Sequence, residues 1–111
     1  MTHKPVIARA RAIQDVQDAL TYYLAEASEK VAMGFLDELE QAYAHLSRFP
    51  ETGSSRYAYE LNLPGLCAWP ISSYPYVVFY MLAADHIDVW RVLHAKRDIP
   101  SWLSNVGSPN S

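Results

Sequence analysis

The spacing of apolar residues changes once along this chain, and the change divides it into a helical half and a strand half. Val6-Ile7-Ala8 follows Pro5 as a short apolar run, which reads as a first strand. Ile13, Val16, Leu20 and Tyr23 then recur at three- and four-residue steps, with Asp15, Gln17 and Asp18 between them. That period predicts a helix from about Ala10 to Ala25. Ser28 is placed to cap a second helix, and Glu29 in its first turn suits the positive end of the helix dipole. Val31, Phe35, Leu39, Ala42, Leu46 and Phe49 form its apolar stripe, with Asp37, Glu38, Glu40 and Gln41 elsewhere on the surface. Pro50 ends it, and residues 51–55 read as a loop. The short connection Glu26-Ala27-Ser28 makes the two helices an antiparallel hairpin.

From Tyr57 onward the pattern reads as strands and turns. Pro64-Gly65 marks a turn and Leu66–Ile71 a strand, with Pro70 confining its end to a sheet edge or bulge. Ser72-Ser73-Tyr74-Pro75 marks the next turn. Tyr76–Leu82 is almost continuously apolar, as in a central strand covered on both faces. His86–Leu93 reads as the last strand. Asp98 is placed to cap a short C-terminal helix with Trp102 and Leu103 on its inner side. The expected fold is α+β: an N-terminal strand, then an antiparallel two-helix hairpin packed on a twisted antiparallel sheet, then a short C-terminal helix. Residues 1–104 form one domain in this reading, and 105–111 form a polar, disordered tail.

Composition narrows the function. The chain has 111 residues, of which 50% are hydrophobic, so a core forms without disulfide or metal support. Nine basic against twelve acidic residues give a net charge of −3. No basic run is present, which argues against binding through bulk phosphate neutralisation. The single cysteine, Cys67, excludes an internal disulfide and lacks zinc-site spacing, and it suits a reducing cytosol. No apolar leader or membrane-length segment is seen, so a cytoplasmic protein is expected. Eight Tyr and three Trp are many for this length, and aromatic residues are enriched at protein interfaces.

Familiar catalytic sets are missing. Gly34, Gly53, Gly65 and Gly107 are isolated, so there is no phosphate loop. Nothing local marks Cys67 as an activated nucleophile toward His94. His3, His45, His86 and His94 have no metal-ligand spacing, and neither metal nor cofactor is expected. The best polar cluster is Arg91, His94 and Arg97. Arg91 lies inside an apolar strand and needs a partner, either an acid such as Asp15 or Asp98 or the anionic group of a target.

Taken in order, several segments resemble the RelE/ParE superfamily of toxins, and its ParE branch in particular. They are Ala12 to Tyr23, with Tyr22-Tyr23; Ala32, Phe35 and Leu39; Leu46-Ser47-Arg48-Phe49-Pro50-Glu51-Thr52-Gly53; Leu63-Pro64-Gly65-Leu66; Tyr74 to Tyr80; and Val89 to Asp98. The resemblance implies a type II toxin–antitoxin system, of the kind that stabilises plasmids. The toxin would be a non-enzymatic inhibitor of DNA gyrase. A ParD-like antitoxin would neutralise it in a higher-order hetero-oligomer. Arg91, His94, Arg97 and Trp102 are the expected target surface, since the outer faces of the helices are acidic. Tyr22, Trp69, Tyr76, Tyr80 and Trp90 are the expected antitoxin contacts. The alternatives are a RelE-type endoribonuclease that cuts mRNA on the ribosome, or a decayed toxin that only binds its antitoxin. Cys67 stands where relatives often carry a basic residue, a departure that keeps the decayed toxin open; Lys is absent between Lys30 and Lys96 and no Tyr follows Tyr80, which disfavours the nuclease chemistry.

Overall fold

A computed structural model describes residues 3–96. Strand β1 (Val6–Ala8) leads into helix α1 (Ala10–Glu26), and α2 (Glu29–Arg48) returns alongside it. The Ser28 hydroxyl accepts the Val31 amide at 3.1 Å, closing the first turn of α2. A 3₁₀ turn (Pro50–Thr52) and a short helix α3 (Arg56–Leu61) precede β2 (Cys67–Pro70), β3 (Tyr76–Leu82) and β4 (Ile87–His94). The sheet order is β1-β4-β3-β2. β2, β3 and β4 are antiparallel, as expected, but β1 joins β4 in parallel and makes the sheet mixed. Pro70 lies in the edge strand β2, where the missing amide is tolerated.

The helix hairpin covers one sheet face. Phe35, Leu39 and Leu46 of α2 meet Val78, Tyr80, Ile87, Val89 and Val92 in the main core. On α1 the closest approach is made by Ala12 and Ala19, at 0% and 2% exposure, and small residues there let the helix sit near β4. Ile13 was expected in the core but is 49% exposed, and Phe49 at the end of α2 is 46% exposed. The stripe of α1 is thus rotated toward its alanines, because close backbone approach places Cβ atoms and not long side chains at the contact.

The second sheet face is not bare. Leu66, Ala68, Phe79, Trp90 and Leu93 form a smaller core there, covered by Tyr57, Ala58 and Leu61 of α3 and by Leu63. Helix α3 replaces the strand pattern expected from Tyr57. An Arg56–Glu60 pair at 3.2 Å spans its one exposed side, and Asn62 in the left-handed region (φ 52°) ends it. The expected C-terminal helix with Asp98, Trp102 and Leu103, the boundary at 104 and the tail 105–111 lie outside the described residues.

Candidate functional site

Where β1 stops, α1 takes its place beside β4. β1 pairs only as far as Ala8 opposite Val89. Beyond that point the Val92 amide has no strand to bond, and it donates to Oδ2 of Asp15 at 3.0 Å. The same carboxylate receives Arg91 Nε and Nη2, both at 2.7 Å. The register shifts between Phe79 and Tyr80, and Arg91, opposite Phe79 at that irregularity, reaches Asp15 of α1. The side chains of Arg91 and Asp15 are only 4% and 10% exposed. Asp15 is therefore a bracket between α1 and β4, and it neutralises the cation that stands inside an apolar strand. Nearby Tyr43 is pushed up to about 12 by burial and then by the Asp15 charge.

Asp15 and Val92, with Ala19 and Leu93, line the floor of a groove of about 740 Å³. Asp18 and Tyr22 of α1 form one wall; Pro75, Tyr76, His94 and Lys96 form the other. Asp15, Asp18 and Tyr22 share a helix face at three- and four-residue spacing. Tyr22 is 58% exposed and rests its ring edgewise on Tyr23 at 5.6 Å. Tyr23 in turn meets Tyr76 at 6.2 Å, and Tyr76 meets the His94 ring at 5.2 Å. The row is anchored below by Phe35 and by Tyr74, whose hydroxyl donates to the Val31 carbonyl at 2.8 Å. The Lys96 amide donates to His94 Nδ1 at 3.1 Å, so Nε2 carries the proton of the neutral ring.

The structure sorts the expected site residues. Tyr22 and Tyr76, expected antitoxin contacts, and His94, an expected target contact, meet in this single groove. Arg91 does not line this groove: it borders a separate hollow with Ala10, Arg11, Gln14 and Asp15, is 3% exposed and is bonded to Asp15, so it is not a free cation for a target. Tyr80 is corrected to a core residue: it is 0% exposed, donates to the Pro50 carbonyl at 2.8 Å and accepts the Gly53 amide at 3.1 Å. Trp90 is also removed from the open surface, at 8% exposure, with Arg9 over its ring at 4.6 Å and its Nε1 donating to Asp88 at 3.2 Å. Trp69 is half-buried on the far edge strand and stacks on His45 at 4.4 Å, away from the groove. Arg97 and Trp102 lie outside the described residues. Burial pushes the Cys67 thiol up, the opposite of an activated nucleophile. Asp18 and Pro75 were not singled out from the sequence; Asp18 had a signal in its spacing to Tyr22, whereas Pro75 had none.

The described residues form a small α+β protein whose groove is lined by aromatic side chains and by charges of both signs. A family model described as "ParE toxin of type II toxin-antitoxin system, parDE" matches residues 6–99, and the chain belongs to that family. Among solved structures it is similar to one titled "Chromosomal ParDE TA system from P. aeruginosa", with a TM-score of 0.71 and 13% identity. That match covers 85% of this chain and 98% of the other, and supports the fold. No curated protein matches the chain. Among the described residues no helix is long and apolar enough to cross a membrane.

Proposed function

We propose that this ParE-family toxin acts in the cytoplasm as a non-enzymatic inhibitor of DNA gyrase and that a ParD-like antitoxin neutralises it within a hetero-oligomer. The observation that carries this reading is the groove itself, where exposed Tyr22 stands across from Tyr76, His94 and Lys96. It offers an aromatic, partly charged surface for a protein partner. The cation best placed for phosphate chemistry, Arg91, is committed to Asp15 and so does not serve a nuclease site. Neutralisation and toxicity would share the groove, so an occupying antitoxin blocks the target directly.

Induction of the toxin without antitoxin tests the proposal. Filamentous cells with an SOS response are the expected result. Rapid translation arrest with cleaved mRNA would replace gyrase by the ribosome-dependent nuclease reading. Normal growth, with the antitoxin still bound in pull-down, would identify a decayed toxin.

A further inference from the structure

Among the described residues the sheet has two edges, and one of them is closed. On β2 the Ala68 amide and carbonyl are bonded to those of Ser54 at 2.9 and 2.8 Å, and Pro70 has no amide to offer. β1 is the other edge. The Pro5 carbonyl accepts the Ile87 amide at 2.8 Å, and the Arg9 amide donates to the Val89 carbonyl at 3.0 Å. Backbone groups alternate in direction along a strand, so residues 5, 7 and 9 face β4, and the amides and carbonyls of Lys4, Val6 and Ala8 face outward. The end of α2 takes those of Lys4: its amide donates to the Ser47 carbonyl at 3.2 Å, and its carbonyl accepts the Ser47 hydroxyl at 2.6 Å. Among the described residues nothing takes those of Val6 and Ala8. Their side chains pack on the helix-side core, while Ile7 turns to the opposite face and is 53% exposed.

Two outward donors and two outward acceptors on a strand that holds neither charge nor proline are a template for a further strand. The ends of β1 limit what fits. Ser47 stands in the next strand's place at Lys4, and past Arg9 the chain turns into α1. A long strand would run into one end or the other. A segment that itself leaves the sheet after three residues fits, and β1 is such a segment. We infer that β1 pairs with β1 of a second copy of this chain, antiparallel about a twofold axis at Ile7. Val6 then lies opposite Ala8 of the second copy, and each such pair exchanges both of its bonds, so every outward amide meets a carbonyl. The two Ile7 residues form the non-hydrogen-bonded pair between them, where side chains come closest, and cover each other's exposed apolar surface. In this register Lys4 lies opposite Ala10 of the second copy. The negative end of the α2 dipole at Ser47 then faces the positive end of the second copy's α1. The two sheets become one, with both helix hairpins on the same face.

Sedimentation velocity and amide hydrogen exchange on the full wild-type chain, at rising concentration, test this. The contact is small, so a weak dimer is expected, with a population that grows over roughly 0.01–1 mM. The Val6 and Ala8 amides should exchange fast when dilute and about tenfold more slowly at the top of that range, while the Ile7 amide, turned to β4, is protected throughout. A chain that stays monomeric across the range overturns the inference. So does protection of Val6 and Ala8 that is independent of concentration, which means pairing within one chain. Protection that appears only when antitoxin binds a monomeric toxin also overturns it and gives the edge to the antitoxin. Two variants add a second readout, with folding checked by circular dichroism. Ile7→Lys, at an exposed position, sets like charges directly opposite each other and should weaken the dimer by about tenfold. Ala8→Pro deletes an outward amide from each copy, at an edge position where proline is tolerated, and should also weaken it by about tenfold. A dimer that the folded variants form as strongly as the wild type uses another surface and contradicts the pairing.

Discussion

Removing the carboxylate of Asp15 should be among the most damaging single changes in this chain. Asp15→Ala removes the carboxylate that two nitrogens of the Arg91 guanidinium, 3% exposed, bond, and removes the acceptor of the Val92 amide. Stranding one member of a buried ion pair costs about 3–5 kcal/mol, and an orphaned buried amide adds about 1–3 kcal/mol where water does not reach it. Against a total stability of about 5–15 kcal/mol, the loss takes much of the margin. With a urea m-value of about 1.5 kcal/mol/M, a loss of 4 kcal/mol lowers the unfolding midpoint by roughly 2–3 M. The assay is urea denaturation followed by tryptophan fluorescence. Replacing both partners, Asp15→Ala with Arg91→Met, should recover part of the loss, because no charge is then left buried. A midpoint shift below about 0.5 M for Asp15→Ala, or a double variant worse than both singles, would refute the bracket.

Phe35 is fully buried against Tyr23, Tyr74 and Tyr76, so Phe35→Ala should cost about 3–5 kcal/mol in the same assay. Ser28→Ala removes the cap of α2 and should cost about 1 kcal/mol by thermal or urea unfolding. Gly53 lies under the Tyr80 hydroxyl with no room for a methyl group, so Gly53→Ala should destabilise the fold while Gly53→Ser gives no rescue. Tyr43 and Tyr80 are both pushed up to about 12 in the folded state, from an ordinary value of 10.0. The folded state then holds more protons than the unfolded one between those values, so stability should fall as pH rises from about 10 toward 12. Phenolate absorbance should show a late step coincident with unfolding.

The helix hairpin was legible because two long amphipathic stripes, a Ser cap and a Pro stop all agree. β3 was legible to the residue, Tyr76 to Leu82, as an apolar run bounded by turns. Helix α3 was not, because Tyr57, Tyr59, Leu61 and Leu63 alternate as a half-buried strand would; the Arg56–Glu60 spacing was the only helical signal. The aromatic site residues were legible in number but not in placement. Strand parity puts Tyr76 and Tyr80 on one face, yet only tertiary packing decides that the hairpin buries Tyr80 and leaves Tyr76 at the groove's rim. The bulge breaks parity between Trp90 and Arg91, so no alternation rule assigns their faces. That Arg91 chose Asp15, 76 residues away, was one of the alternatives the sequence left open.

The sheet order β1-β4-β3-β2 has a consequence for how the molecule is born. Among the described residues, the first strand made is joined to the last, with Val6 opposite Ile87, and β4 fills the interior of the sheet between β1 and β3. During synthesis the hairpin and β1 emerge with nothing to pack on, and β2 and β3 alone leave the ladder open. Such distant pairing is slow to nucleate, since a long loop must close before any contact rewards it. The groove therefore does not exist on a partly made chain: Pro75 and Tyr76 of its wall and the α1 residues are made first, and Val92, Leu93, His94 and Lys96 complete it last.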